Sequence, residues 1–157
     1  LCYDETDLDQ QRTHLDTYFN ILNDKYVICL DFEEAGKIAN KKLERKVYLY
    51  DNNADKNIKS DKEDVKEIVG EYKLVKIFEI FYDLLKFENF EVIKVTYQQQ
   101  VDYMINFLNI GNNTVISVNK DLQKLIQHTG VTADYIDFEA VLKMYGAMHC
   151  MTQVSRK

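Results

Sequence analysis

Three side chains near the two ends of the sequence have the types needed for nucleophilic catalysis. Cys150 lies in the final segment, and His14 and Asp16 lie two positions apart near the start. A cysteine thiolate is a strong nucleophile, and a histidine carries protons at neutral pH. Positions i and i+2 of a strand face the same way. An extended segment would therefore point His14 and Asp16 into one site, with Leu15 towards the core.

Each of these side chains lies within a recognisable motif. The run GAMHCMT (146–152) resembles the Gly-x-x-His-Cys-x-Thr signature of amidinotransferases and agmatine deiminases. More loosely, it is similar to the Arg-Cys-Met-Ser ending of arginine deiminases. The run HLDTYF (14–19) resembles the His-Leu-Asp-Thr-x-Phe motif of arginine deiminases. Extended to Asn20, it is similar to the His-x-Asp-x-x-Phe-Asn motif of amidinotransferases.

The chain is accordingly identified as a member of the superfamily of arginine deiminases and amidinotransferases, and it corresponds to the C-terminal portion. The resemblance implies an α/β pentein fold, in which five ββαβ units form a pseudo-symmetric propeller around a substrate channel. We expect residues 1–157 to form a single domain and a partial propeller.

The resemblance also implies what the three side chains do. A guanidinium carbon is a poor electrophile, so attack on it requires a thiolate, a carboxylate for the cation and an acid for the leaving nitrogen. Cys150 supplies the thiolate and Asp16 the bidentate carboxylate. His14 protonates the leaving nitrogen and then deprotonates the incoming nucleophile. A covalent amidino-cysteine forms, and it is resolved by water in a hydrolase or by an amine in an amidinotransferase. Arginine, agmatine and methylated arginine all remain open as substrates, and no cofactor is expected.

Several alternatives have to be weighed against this assignment. A cysteine beside an apolar strand is often a packing residue, which is how we interpret Cys29. His149 should point away from Cys150 on a strand, so a structural role is expected for it. A zinc site formed by His14, Asp16, His149 and Cys150 is disfavoured because metal sites show tighter ligand spacing; we expect no metal. A pentein used as a binding module without catalysis also stays open.

Two features of the superfamily find no match here. Its members place a second guanidinium-binding Asp, and an acidic partner for the histidine, before the His motif. Residues 1–13 contain acidic side chains at Asp4, Glu5, Asp7 and Asp9, but their context does not match those positions. We therefore expect the remaining wall of the site to come from a missing N-terminal half or from a second copy.

The second unmatched feature bears on the choice between hydrolase and transferase. Amidinotransferases carry an arginine shortly after the first hairpin, where this sequence has Asp31, Glu33 and Glu34. The difference favours a hydrolase of the guanidino C–N bond over a transferase.

The elements that position these residues follow from local patterns. Two β-rich runs within 14–31 flank Asn23-Asp24-Lys25, which indicates a hairpin. A second hairpin is predicted from strands at Ile105–Asn109 and Thr114–Val118, joined by a turn with Gly111. Helices are predicted at Tyr72–Phe87 and Lys120–Thr129, the latter ending at Gly130, and strands at Phe90–Thr96 and Val131–Phe138. The hairpins align as Phe19 with Phe107, Val27 with Val115, Ile28 with Ile116 and Leu30 with Val118, which indicates an internal ββαβ repeat.

The first unit carries a charge-dense insertion at about residues 32–70. We expect a solvated helix, a short edge strand at Val47–Tyr50 and a mobile loop around Asn52–Lys59.

Composition limits the partners of the chain. Its formal charge of −6 over 157 residues disfavours nucleic acid as a partner, because proteins that bind nucleic acid usually carry a basic patch. No apolar run approaches the roughly 18 residues of a membrane span, so no membrane partner is expected. Three cysteines cannot all pair, which favours a reducing, cytoplasmic setting. A small guanidino compound is the expected partner.

Overall fold

The computed structural model describes residues 17–40, 47–51 and 73–138. They contain short helices and short strands, and the strands form three sheets. The strands are β1 Phe19–Ile21, β2 Tyr26–Leu30, β3 Val47–Asp51, β4 Lys73–Phe78, β5 Glu91–Val95, β6 Leu108–Gly111, β7 Thr114–Ser117 and β8 Thr132–Tyr135. The helices are α1 Phe32–Ile38, α2 Phe81–Phe87, α3 Tyr97–Val101 and α4 Leu122–Ile126, with a 3₁₀ turn at Gln127–Thr129. Sheet orders are β1-β2-β5, β3-β4 and β6-β7-β8. The predicted α/β class is confirmed.

The first hairpin forms where the sequence predicts it. Asn23 Oδ1 accepts hydrogen bonds from the backbone N–H groups of Lys25 at 3.0 Å and Tyr26 at 2.9 Å. A short Asn side chain that bonds the backbone two and three residues ahead is a turn former. This side chain therefore closes the turn between β1 and β2.

The second hairpin turns through residues with left-handed backbone. Asn112 and Asn113 have φ of 52° and 53°, as the two central residues of a type I′ turn require. Gly111 at φ 84° absorbs a register irregularity just before the turn. The predicted helix stop is confirmed as well, since Gly130 has φ 75° after the 3₁₀ turn.

The two three-stranded sheets, β1-β2-β5 and β6-β7-β8, have the same strand order and the same strand directions. In each, the first strand pairs antiparallel with the second, a helix follows, and the third strand pairs parallel with the second. The equivalent antiparallel pairs are Asn20–Ile28 with Leu108–Ile116, and Ile21–Val27 with Asn109–Val115. The hairpin alignment made from sequence therefore falls on equivalent register positions. Among the described residues these sheets form no closed barrel, so the five-unit propeller stays a prediction.

The helix predicted at Tyr72–Phe87 is wrong in its first half. Lys73–Phe78 forms β4 and pairs antiparallel with β3, and only Phe81–Phe87 is helical. The segment Leu74–Phe78 is rich in β-branched and apolar residues, which suit a strand that has a partner. That partner is the predicted edge strand, which is confirmed but lies in a separate two-stranded sheet.

One apolar core serves both units. Tyr18, Ile28 and Phe81 of the first unit belong to the same buried cluster as Phe107 and Leu122 of the second. Helix α1 joins this core through Phe32 and Ala35 and exposes Glu33 and Lys37. The loop predicted around Asn52–Lys59 lies outside the described residues. No helix in the described ranges is long and apolar enough to span a bilayer.

Candidate active site

The predicted catalytic residues flank the described part of the chain. His14 and Asp16 immediately precede it, and His149 and Cys150 follow it, so all four lie outside the described residues. The expected approach of the Cys150 sulfur to the His14 imidazole therefore stays a prediction. Within residues 17–40, 47–51 and 73–138, no group of three or more His, Cys, Asp or Glu side chains is placed to hold a metal ion. The zinc alternative involves only residues outside these ranges.

The chain that continues from Asp16 is fixed in the core almost at once. Tyr18 is 1% exposed, and its ring packs edge-on against Phe32 and Phe81, with centroids 5.8 and 6.2 Å away. Its carbonyl accepts a 2.8 Å hydrogen bond from Leu30 N. Phe19 also packs edge-on against Phe81, at 5.1 Å. The His-x-Asp motif is thus followed directly by a rigid anchor.

Asn20 then links this strand to the second unit. Its Nδ2 donates to the carbonyl oxygens of Ile105 at 2.9 Å and Phe107 at 2.8 Å. Its Oδ1 accepts from Ile21 N at 2.9 Å, which fixes the orientation of the amide. One half-buried side chain therefore joins two backbone segments separated by more than 80 residues in the sequence.

The acidic residues after the first hairpin have structural partners. Asp31 caps α1 by accepting from the N–H groups of Glu33 and Glu34, and its carboxylate lies 3.5 Å from Lys94 Nζ. A carboxylate at a helix N-terminus stabilises otherwise unpaired N–H groups. Glu34 accepts from Tyr97 N at 2.9 Å.

Glu33 is an exposed surface residue that pairs with Lys37 at 2.8 Å. Hydrogen bonding to Lys37 lowers the pKa of the Glu33 carboxyl. All three acids after the first hairpin therefore have partners in or beside α1.

Tyr82 fastens helix α2 to the end of β2. Its hydroxyl donates to the carbonyl of Leu30 and accepts from Phe32 N at 3.1 Å. Lys94 Nζ lies 4.7 Å from the centre of the ring. Burial raises the pKa of the Tyr82 hydroxyl well above its usual range, so this side chain remains a protonated donor.

Some of these contacts could not be found from sequence. In the sequence, Asn20 stands out only as part of a motif. The groups that it binds are backbone carbonyls, which no residue type marks. Tyr82 lies 52 residues from the carbonyl that it binds. The cap at Asp31 had a local signal, since an Asp directly before an amphipathic helix is a common N-cap.

Comparison with known protein families identifies the family of the chain. The described fold is α/β. A family model described as arginine deiminase matches residues 3–156. The match covers nearly the whole chain, so this protein belongs to the arginine deiminase family, as the resemblance predicts. No curated protein and no solved structure matched the chain.

Proposed function

We propose that this protein is a cysteine-dependent hydrolase of a guanidino C–N bond. The observation that carries the proposal is the family match over residues 3–156. That range includes His14, Asp16 and Cys150 in the order in which the two motifs require them. We place the reaction in the cytoplasm, where a thiol nucleophile stays reduced.

The reaction proceeds in two steps through a covalent intermediate. Asp16 binds two guanidinium N–H groups and orients the carbon towards Cys150. The thiolate forms a C–S bond, His14 donates a proton to the departing nitrogen, and the C–N bond breaks. In the second step His14 takes a proton from water, the water oxygen bonds to the amidino carbon, and the C–S bond breaks. A ureido product and free Cys150 result.

The amidinotransferase alternative uses the same first step, with an amine in place of water. Asp31 and Glu34 disfavour it, because they occupy the region of the usual arginine and are engaged with α1, Lys94 and Tyr97 N. An amino-acid carboxylate brought to this region would meet acidic groups rather than a guanidinium.

We further propose that a second guanidinium contact and an acidic partner for His14 come from outside residues 1–157. The acidic residues at Asp4, Glu5, Asp7 and Asp9 have no matching context in the family pattern. A preceding segment or a second copy of the chain would supply these groups.

Product analysis with a panel of guanidines tests the proposal. Arginine, agmatine and methylated arginine are incubated with the protein, with and without added glycine as an acceptor amine. A hydrolase yields a ureido product, together with ammonia or methylamine, and glycine changes nothing. An amidino product that requires glycine would establish the transferase instead. Tight guanidine binding without any product, when the chain is joined to a preceding segment or associated with a second copy, would establish the non-catalytic binding module.

A further inference from the structure

A pair of asparagines donates hydrogen bonds across the boundary between the two ββαβ units. Asn20 on β1 donates to the carbonyls of Ile105 and Phe107, at 2.9 and 2.8 Å. From the opposite side, Asn109 on β6 donates to the carbonyls of Leu22 at 2.7 Å and Ile21 at 3.4 Å. Both side chains cross the same boundary between the first unit and the second, in opposite directions.

The two asparagines differ in their distance from the catalytic motif. Asn20 lies four residues after Asp16, and the intervening chain is fixed by the buried ring of Tyr18. A residue spans at most about 3.6 Å of extended chain, so a shift of β1 at Asn20 has little length in which to be absorbed before Asp16. Asn109 holds the far end of the hairpin, at Leu22, where the turn begins.

The acceptors of Asn20 are part of a rigid support. Ile105 and Phe107 are 1% and 0% exposed and belong to the shared core. The two bonds to alternate carbonyls fix both the height and the tilt of β1 against the second unit. Asn109 also makes two bonds, but its acceptors are the adjacent carbonyls of Ile21 and Leu22 at the turn end of β1.

We propose that Asn20 is a positioning residue that sets the placement of Asp16 and His14 relative to the rest of the site. The inference rests on the proposed function, since it assigns Asn20 an effect on guanidinium capture. It distinguishes Asn20 from Asn109, which holds the same two units together without governing the motif. A displacement of about 1 Å at a catalytic group costs on the order of a hundredfold in rate.

Alkylation of Cys150 by two reagents tests this role without requiring the natural substrate. Chloroacetamidine carries an amidinium that Asp16 can bind, whereas iodoacetamide is neutral. The ratio of the two rates at Cys150, followed by peptide mass spectrometry, reports whether Asp16 is in place. Cys29 is 0% exposed and reports unfolding in the same digest. The variants compared are Asn20→Ala and the matched Asn109→Ala, each in the full chain.

We expect Asn20→Ala to lower the chloroacetamidine preference by about tenfold or more. The iodoacetamide rate should stay close to wild type and Cys29 should stay unlabelled. Asn109→Ala should keep the preference within about twofold, although it also loses two hydrogen bonds across the boundary. An equal drop in both variants, or no drop in Asn20→Ala, would overturn the proposal.

A folding defect is separated by a milder variant. If Cys29 becomes labelled in Asn20→Ala, the comparison is repeated with Asn20→Ser, whose hydroxyl can still donate one hydrogen bond. A lowered preference with Cys29 protected supports positioning, and labelling of Cys29 in both variants overturns it. A wild-type Cys150 without any preference for chloroacetamidine would instead sink the proposed function, and with it the role of Asn20.

Discussion

Two side chains bond backbone groups that are distant from them in sequence. Asn20 reaches the carbonyls of Ile105 and Phe107, and Tyr82 joins the carbonyl of Leu30 to the N–H of Phe32. A buried backbone group without a partner costs about 1–3 kcal/mol, so each such side chain removes a penalty as well as adding a bond. The rigidity behind the His-x-Asp motif comes from these bonds together with the ring of Tyr18.

Removal of the Tyr82 hydroxyl should destabilise the fold. Tyr82→Phe removes the hydrogen bonds of the hydroxyl to the Leu30 carbonyl and the Phe32 N–H, and we expect a loss of about 1–3 kcal/mol in urea unfolding at pH 7. Tyr48→Phe is the matched control, because Tyr48 is 44% exposed, and it should change little. Equal stabilities of Tyr82→Phe and wild type would show that the hydroxyl bonds contribute nothing.

The same tyrosine predicts a pH dependence. Its pKa is raised in the folded protein, so the unfolded chain releases the proton first. The stabilisation is therefore fully present below the unfolded tyrosine pKa of about 10 and falls as the pH rises above it. We expect the difference in unfolding free energy between wild type and Tyr82→Phe to shrink above pH 10. A difference that grows there would contradict the assigned direction.

At the scale of elements, local sequence signals predict the hairpin turns. They do not predict a strand whose formation depends on pairing with a distant segment. Asn23 and the Asn112–Asn113 pair mark their hairpins by chemistry contained in a few residues. The segment 73–78 had no comparable signal, because an apolar run suits a helix or a buried strand equally well. Its partner β3 lies more than 20 residues earlier, and that pairing made it a strand. The His-x-Asp and His-Cys motifs are visible because each is contiguous in sequence, but the sequence does not predict the distance between them.

Gly130, which follows α4 and the 3₁₀ turn, offers a direct test of turn chemistry. Gly130 has φ 75°, and an added Cβ would meet no atom within 4 Å. Gly130→Ala should therefore cost about 1 kcal/mol through backbone strain alone. Gly130→Asn should cost clearly less, since Asn tolerates the left-handed region. Thermal unfolding of both variants measures the difference, and equal losses would attribute the effect to something other than φ.

The molecule as a whole depends on one core shared between two similar units. Because Phe107 and Leu122 pack in the same cluster as Tyr18 and Ile28, neither unit buries its apolar face alone. Surface is also left exposed at Ile21, Ile110 and Tyr135, which are 43%, 51% and 43% accessible. We propose that acidic groups from a preceding segment or a second copy complete the site.

That contribution predicts how activity depends on assembly. We expect the 157-residue chain, when it is a monodisperse monomer by light scattering, to be far less active than the chain joined to a preceding segment or associated with a second copy. Replacement of Asp4, Glu5, Asp7 and Asp9 by their amides should leave the activity of the assembled form unchanged. Full activity of the isolated monomer would show that no outside acidic groups are needed.

We propose that Cys150 captures the guanidino carbon covalently. Rapid acid quench during turnover, followed by peptide mass spectrometry, should find the Cys150 peptide heavier by the substrate minus its departing amine. Cys150→Ser should carry no adduct and lose about four orders of magnitude or more in kcat, with an almost unchanged melting temperature, because serine has no thiolate at neutral pH. Turnover that persists in Cys150→Ser, or an adduct on another residue, would contradict the account.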